Sequence, residues 1–164
     1  MRPAQAEEIR KCFANCSKGE ATKLSLPPGF ESTDWASTDF LGWTDPRAVN
    51  NAYLVLPRGD ELVGIALRAN KARAGALRRS VCAFCVTTHA MSDVVLFAAP
   101  KAGASGRNGN TVGTYACAEL GCSSYVRGKA RPAVPQPGES ATLEERLARM
   151  LGNIGLFVDR VLEA

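Results

Sequence analysis

Cys82-Ala83-Phe84-Cys85 and Tyr115-Ala116-Cys117-Ala118-Glu119-Leu120-Gly121-Cys122 decide the fold of this chain. The two thiol pairs are spaced C-x2-C and C-x4-C, with 31 residues between them. A zinc ion needs four soft or borderline ligands in a tetrahedron at roughly 2.0–2.3 Å, and two short-spaced pairs supply this when two turns from distant parts of a chain meet. Ala83-Phe84 makes a short knuckle between the first two sulfurs, after Arg78-Arg79-Ser80-Val81. In the second pair, Cys117 is placed to end a strand and Cys122 to enter the first turn of a helix. The expected ligands are Cys82, Cys85, Cys117 and Cys122, holding one structural Zn2+. Four thiolates close the coordination shell, whereas a catalytic zinc keeps a position open for water. His89, the one histidine, follows Cys85 by four residues. It is read as a loop residue or a hydrogen-bond donor behind a ligand, with replacement of one sulfur as the alternative.

Working outward, the thiol pairs sit in the most basic part of the sequence. Residues 1–64 carry 7 basic and 9 acidic side chains, residues 65–131 carry 10 and 2, and residues 132–164 carry 3 and 5. The overall charge of +4 therefore hides a middle segment at +8. Such a field favours an acidic partner, either nucleic acid or an acidic protein surface, unless it is simply solvated. The 164 residues, 46% hydrophobic and 22% charged, suit a single zinc-binding domain over 1–164. No apolar run approaches the roughly 20 residues that span a bilayer. The acidic start, Met1 to Glu8, is no signal peptide, so the expected location is the cytoplasm, where thiols stay reduced. Cys12 and Cys16 read as free, small apolar residues.

The rest of the chain divides readily. An N-terminal helix is expected over 1–20, with Pro3 in its first turn, Ile9, Cys12, Phe13 and Cys16 at helical spacing, and Gly19 as its stop. Phe40-Leu41-Gly42-Trp43 reads as an aromatic anchor between turn formers. Sheet and treble clef are expected over 52–126: strands at 52–56 and 61–67 joined by Pro57-Arg58-Gly59-Asp60, a basic excursion over 68–79, strands at 94–99 and 111–116 around a loop, and a helix at 119–126. A Pro-rich connector over 127–140 leads to a C-terminal helix at 141–163. There Thr142 and Glu145 form a capping box, and an apolar stripe starts at Leu143 and ends at Leu162. Knuckle, strand hairpin, then a helix carrying the last ligand is the outline of a treble clef. The fold class is thus α+β: a small antiparallel sheet with a four-cysteine treble clef and flanking N- and C-terminal helices.

Several words of this sequence resemble a known family. Asn15-Cys16-Ser17-Lys18-Gly19-Glu20, Phe40-Leu41-Gly42-Trp43, Cys82-x2-Cys85-x3-His89, Gly113-Thr114-Tyr115-x-Cys117-Ala118 and Tyr125-Val126-Arg127-Gly128 are similar to the elongation factor G-binding proteins. The likeness is to the C-terminal treble clef zinc-finger domain of the FusB-type fusidic-acid-resistance proteins, over residues 3–162. It implies zinc at the four cysteines, binding to elongation factor G, and an influence on release of that factor from the ribosome. The resistance proteins place a helical domain before this module, whereas one helix is expected at the start here, so drug protection is the part of the resemblance put in question.

Catalytic residues are not expected: with one histidine, no nucleophile elbow and no P-loop, the chain is not read as an enzyme. Asp39 and Asp45 read as turn residues. The expected partner-binding residues are Arg78, Arg79, Tyr115, Tyr125, Arg127 and Lys129. The two tyrosines serve as interface anchors or pack half-buried on the sheet, and Arg127 and Lys129 lie in an extended segment free to reach out. The alternative function is a basic zinc finger that binds ribosomal RNA. Neither reading involves a membrane or a small-molecule substrate.

Overall fold

A computed structural model describes residues 1–70 and 79–163. Their centre is a five-stranded antiparallel sheet in the order β1-β2-β3-β6-β7. It comprises β1 (Leu41–Thr44), β2 (Asn51–Arg58), β3 (Glu61–Asn70), β6 (Val94–Pro100) and β7 (Thr111–Cys117). A separate ribbon pairs β4 (Arg79–Val81) with β5 (Thr88–Ala90). The helices are α1 (Ala6–Lys11), α2 (Lys18–Lys23), α3 (Gly103–Arg107), α4 (Cys122–Val126) and α5 (Leu143–Leu162). The α+β treble clef class is what the structure has.

Each face of the sheet carries its own core. One buries Leu54, Leu56, Leu67, Phe97 and Ala116 beneath α5 and the cysteine turns. The other buries Leu41, Trp43, Tyr53 and Val55 beneath Ile9, Leu24 and Phe30 of the N-terminal segment. Helix α5 forms because Thr142 and Glu145 close a reciprocal capping box. Met150, Ile154, Phe157, Val158 and Val161, all buried, recur three or four residues apart and so share one stripe. Burying each such side chain stabilises by about 1.5–3 kcal/mol. Leu143, counted in that stripe from sequence, is exposed.

The N-terminal helix expected over 1–20 is the main correction. It breaks after Lys11, and a second helix starts at Lys18 with Gly19 inside it. Between them the chain runs beside β3: Gly64 N–H donates to Cys12 O at 2.9 Å and Ala14 N–H to Gly64 O at 2.9 Å. A Cβ on Gly64 would lie 2.8 Å from Cys12 Sγ, so only glycine admits this approach. Strands β3 and β6 pair only from Arg68–Asn70 to Leu96–Ala98. Beyond that stretch Asn15 bridges them. Its amide donates to Ala66 O at 3.0 Å and Pro100 O at 2.9 Å, and its carbonyl accepts from Ala66 N–H at 2.7 Å. Long-range backbone pairing outcompetes helical spacing here. Ser17 and Glu20 then form the capping box of α2.

Smaller differences follow the same logic. The hairpin strands are longer than expected, leaving Gly59-Asp60 as the turn. Strand β1 extends the aromatic anchor: Phe40 and Trp43 are buried, and Trp43 Nε1 donates to Ser25 O at 2.8 Å. The loop after β6 contains α3, and the helix expected at 119–126 begins only at Cys122. The basic excursion over 68–79 divides between the end of β3, the start of β4 and residues outside those described.

Candidate metal centre

Cys82 follows β4, and the chain turns tightly: Val86 N–H donates to Cys82 O at 2.9 Å and Cys82 N–H to Thr87 O at 3.0 Å. Cys117 is the last residue of β7 and Cys122 the first of α4. The two turns meet because Ala83 N–H donates to Tyr115 O at 2.7 Å, which lays the knuckle along the edge of β7. All four thiols are buried and their sulfurs lie within 4.8 Å of one another. Cys82 and Cys122 Sγ are 3.7 Å apart, as are Cys85 and Cys117 Sγ. A tetrahedron with Zn–S bonds of about 2.3 Å has edges of about 3.8 Å, whereas a disulfide brings sulfurs to about 2.05 Å. The cluster therefore fits one structural zinc ion, and its four sulfurs leave no coordination position for substrate.

The four neighbouring thiols compete for protons unevenly. Hydrogen bonds from Cys117 and then Cys122 hold Cys82 and Cys85 below the ordinary thiol range. Cys122 is pushed well up, first by its bond to Cys117 and then by that to Cys82. Cys117 is also pushed up; its bond to Cys122 opposes this, but its bonds to Cys82 and Cys85 and its burial outweigh it. A dication resolves this competition by favouring the thiolate at every position. Cys12, half-buried on the opposite side of the sheet, has its thiol pushed up to about 12 by burial, and burial also raises Cys16. Both cysteines are free.

Neighbouring residues brace the cluster. His89 on β5 is fully buried, with Nε2 3.4 Å from Cys117 Sγ and its ring edge-on to Tyr125 at 4.6 Å between centroids. It stands outside the group of four convergent ligand atoms and is in hydrogen-bond contact with one of them, Cys117. Phe84 packs on Phe157 of α5, and Asn153 Nδ2 donates to Phe84 O at 3.0 Å. Leu120, buried between Cys117 and Cys122, has a left-handed φ of 52°, uncommon for a bulky residue. It lies so close to β1 that a Cβ on Gly42 would be 2.5 Å from Leu120 Cβ. Gly42 therefore makes room for the second thiol turn. The Phe40-Leu41-Gly42-Trp43 word held that signal, but nothing in it pointed to the metal.

The expected partner-binding residues fall into different settings. Tyr115 is 56% exposed. Arg79 is exposed on β4, and Arg78 lies outside the described residues. Tyr125 is half-buried against His89, and burial raises its pKa before the nearby Cys117 does. Arg127 and Lys129 are not in a free extended segment. Arg127 forks onto Asp39 at 2.6 and 3.1 Å, and Lys129 reaches Asp34 at 3.3 Å and Ser37 at 2.6 Å. Val81 and Val86, which sequence reasoning passed over, are 50% and 45% exposed beside the cysteine turns. Asp45 is a turn residue as expected: its buried carboxylate accepts from Arg47 N–H at 2.8 Å and Tyr53 O–H at 3.2 Å.

Among the described residues no helix is long and apolar enough to cross a membrane. The family model described as FBP C-terminal treble-clef zinc-finger matches residues 8–161. Neither a curated protein nor a solved structure matches the chain.

Proposed function

This chain belongs to the FBP C-terminal treble-clef zinc-finger family, and from that premise we propose that it is a non-enzymatic module that binds translation elongation factor G and modulates its release from the ribosome. Cys82, Cys85, Cys117 and Cys122 hold the zinc, which gives the partner a rigid surface. One observation carries this reading: Tyr115, Val81 and Val86 are exposed around the metal cluster, where Ala83 joins Tyr115. Exposed aromatic and aliphatic groups on a stiff platform are what a protein interface uses as anchors. Arg79 beside them adds attraction for an acidic surface. Arg127 and Lys129, already ion-paired, belong to the scaffold of this face and meet the partner only at its rim. A role on the ribosome places the protein in the cytoplasm.

The test uses purified elongation factor G and zinc-loaded protein in kinetic binding measurements. Tyr115→Ala is expected to speed dissociation, and Arg79→Glu to slow association at low salt, with zinc content unchanged. Absence of saturable binding by the unaltered protein would reject the function. Unaltered rates in both variants would reject this surface.

A further inference from the structure

The basic side chains are not spent evenly over the molecule. On the metal side Arg127, Lys129, Arg146 and Arg149 are all ion-paired. Arg79 and Arg131 there are exposed and in no ion pair among the described residues. Around Cys16, on the other side of the sheet, more of the cations stand unpaired. Three cavities of about 330, 580 and 520 Å³ meet at this residue. Lys11 on the second cavity and Lys101 on the third are paired with Glu7 and Glu163; of the other cations, Lys23, Arg47 and Arg68 rim the first, Arg10 and Lys18 the second and Arg107 the third. None of these six has a carboxylate partner among the described residues. Five of them are exposed, and Arg10 is half-buried.

The carboxylates that line the same cavities are occupied. Glu20 closes the capping box of α2, Asp45 is buried in its turn, and Glu7 pairs with Lys11 at 2.6 Å. Glu20 and Asp45 keep their negative charge, and Glu20 feels Arg68, but the six cations outnumber them, so the net charge of the rim is positive. Between the cations part of the walls is apolar: Phe13 and Ala21 in one cavity, Leu24 in another. Nothing here resembles a protein interface anchor. Of the exposed large apolar residues among those described, only Val49 adjoins this region, while Tyr115, Val81 and Val86 gather at the cysteine turns.

We propose that this rim around Cys16 is a nucleic-acid-binding surface that takes the phosphodiester backbone of a single strand. Spaced cations track successive phosphates, and the concave apolar gaps receive splayed bases, which a duplex keeps stacked. Arginine forks suit phosphate oxygens bidentately. The surface is separate from the one proposed for elongation factor G, so either can fail without the other.

The test is fluorescence anisotropy of the zinc-loaded full chain with labelled oligouridylate and oligodeoxythymidylate of about 16 nucleotides, the upper end of such site sizes. The altered protein is the triple variant Lys23→Glu, Arg47→Glu, Arg107→Glu, whose three side chains make no hydrogen bond or ion pair among the described residues. Saturable binding is expected, with the logarithm of the affinity falling linearly with log salt. In the triple variant the slope should drop by about 2, at about 0.7 per lost phosphate contact, with at least tenfold weaker binding at low salt. No saturable binding of either strand, an unchanged slope in the variant, or equal competition by polyglutamate at matched charge would overturn the proposal. The last outcome would mark an acidic-protein surface instead. Arg79→Glu, on the metal side, should leave strand binding unaltered.

Discussion

The two faces of the central sheet are held by different means. Under α5, a cluster of four buried thiols ties the ends of β4, β7 and α4 to one point. On the opposite face no cluster exists among the described residues, and the N-terminal segment is fastened by backbone pairing at Gly64, the Asn15 bridge and an aromatic group of Phe13, Trp43 and Tyr53. A metal concentrates its effect in a few residues of one type, whereas the other fastening spreads over many unlike residues. The first should therefore fail all at once and the second in parts.

The largest expected effect breaks the metal face. Cys82→Ser or Cys117→Ser should abolish zinc binding, a contribution on the order of 10 kcal/mol in small zinc modules, comparable with the whole stability of a typical domain. Zinc content and far-ultraviolet circular dichroism read the result, and a folded, zinc-retaining variant would contradict it. Next comes Phe157→Ala, which removes the ring packed on Phe84 at 5.7 Å between centroids. A loss of about 3–5 kcal/mol is expected from denaturant midpoints. A cost below about 1 kcal/mol would mean that α5 does not clamp the knuckle.

On the other face, Asn15→Ala strands the amide of Ala66 and two carbonyls, and should cost about 1–3 kcal/mol. Its zinc content should stay at the unaltered value. A concurrent loss of zinc would show that the two faces are not separable. The smallest effect concerns Asp45. Burial opposes its ionisation, but hydrogen bonds from Arg47 and Ser25 hold its carboxyl below the usual range. A depressed folded value means that the contribution is complete above the unfolded pKa of about 3.9 and is lost as pH falls through the lower folded one. Relative to the unaltered protein, Asp45→Asn should therefore cost about 1 kcal/mol at neutral pH, and that difference should shrink at acid pH. A difference that does not vary with pH would contradict the assignment.

The same contrast explains what was legible in the sequence. The thiol spacing, the hairpin, the buried strand at 94–99 and the capped terminal helix were readable because each is a local pattern with one strong physical reading. The N-terminal face was not. Ile9, Cys12, Phe13 and Cys16 have helical spacing, yet the segment pairs with Gly64, far along the chain. Asn15 serves as a bridge between strands, a role that no local rule assigns to an asparagine. The +8 segment located charge along the chain but not in space: Arg127 and Lys129 turned out to be paired, while Lys18, Lys23 and Arg47, outside that segment, face open cavities. Net charge by segment is silent about ion pairing, which only the folded chain settles.

X-ray absorption at the zinc edge on the purified protein tests the central claim most directly. One zinc per chain is predicted, with four sulfur neighbours at about 2.3 Å and no nitrogen or oxygen in the shell. A shell of three sulfurs and one nitrogen would make His89 a ligand, and protein that folds without zinc would remove the metal from the account of the fold.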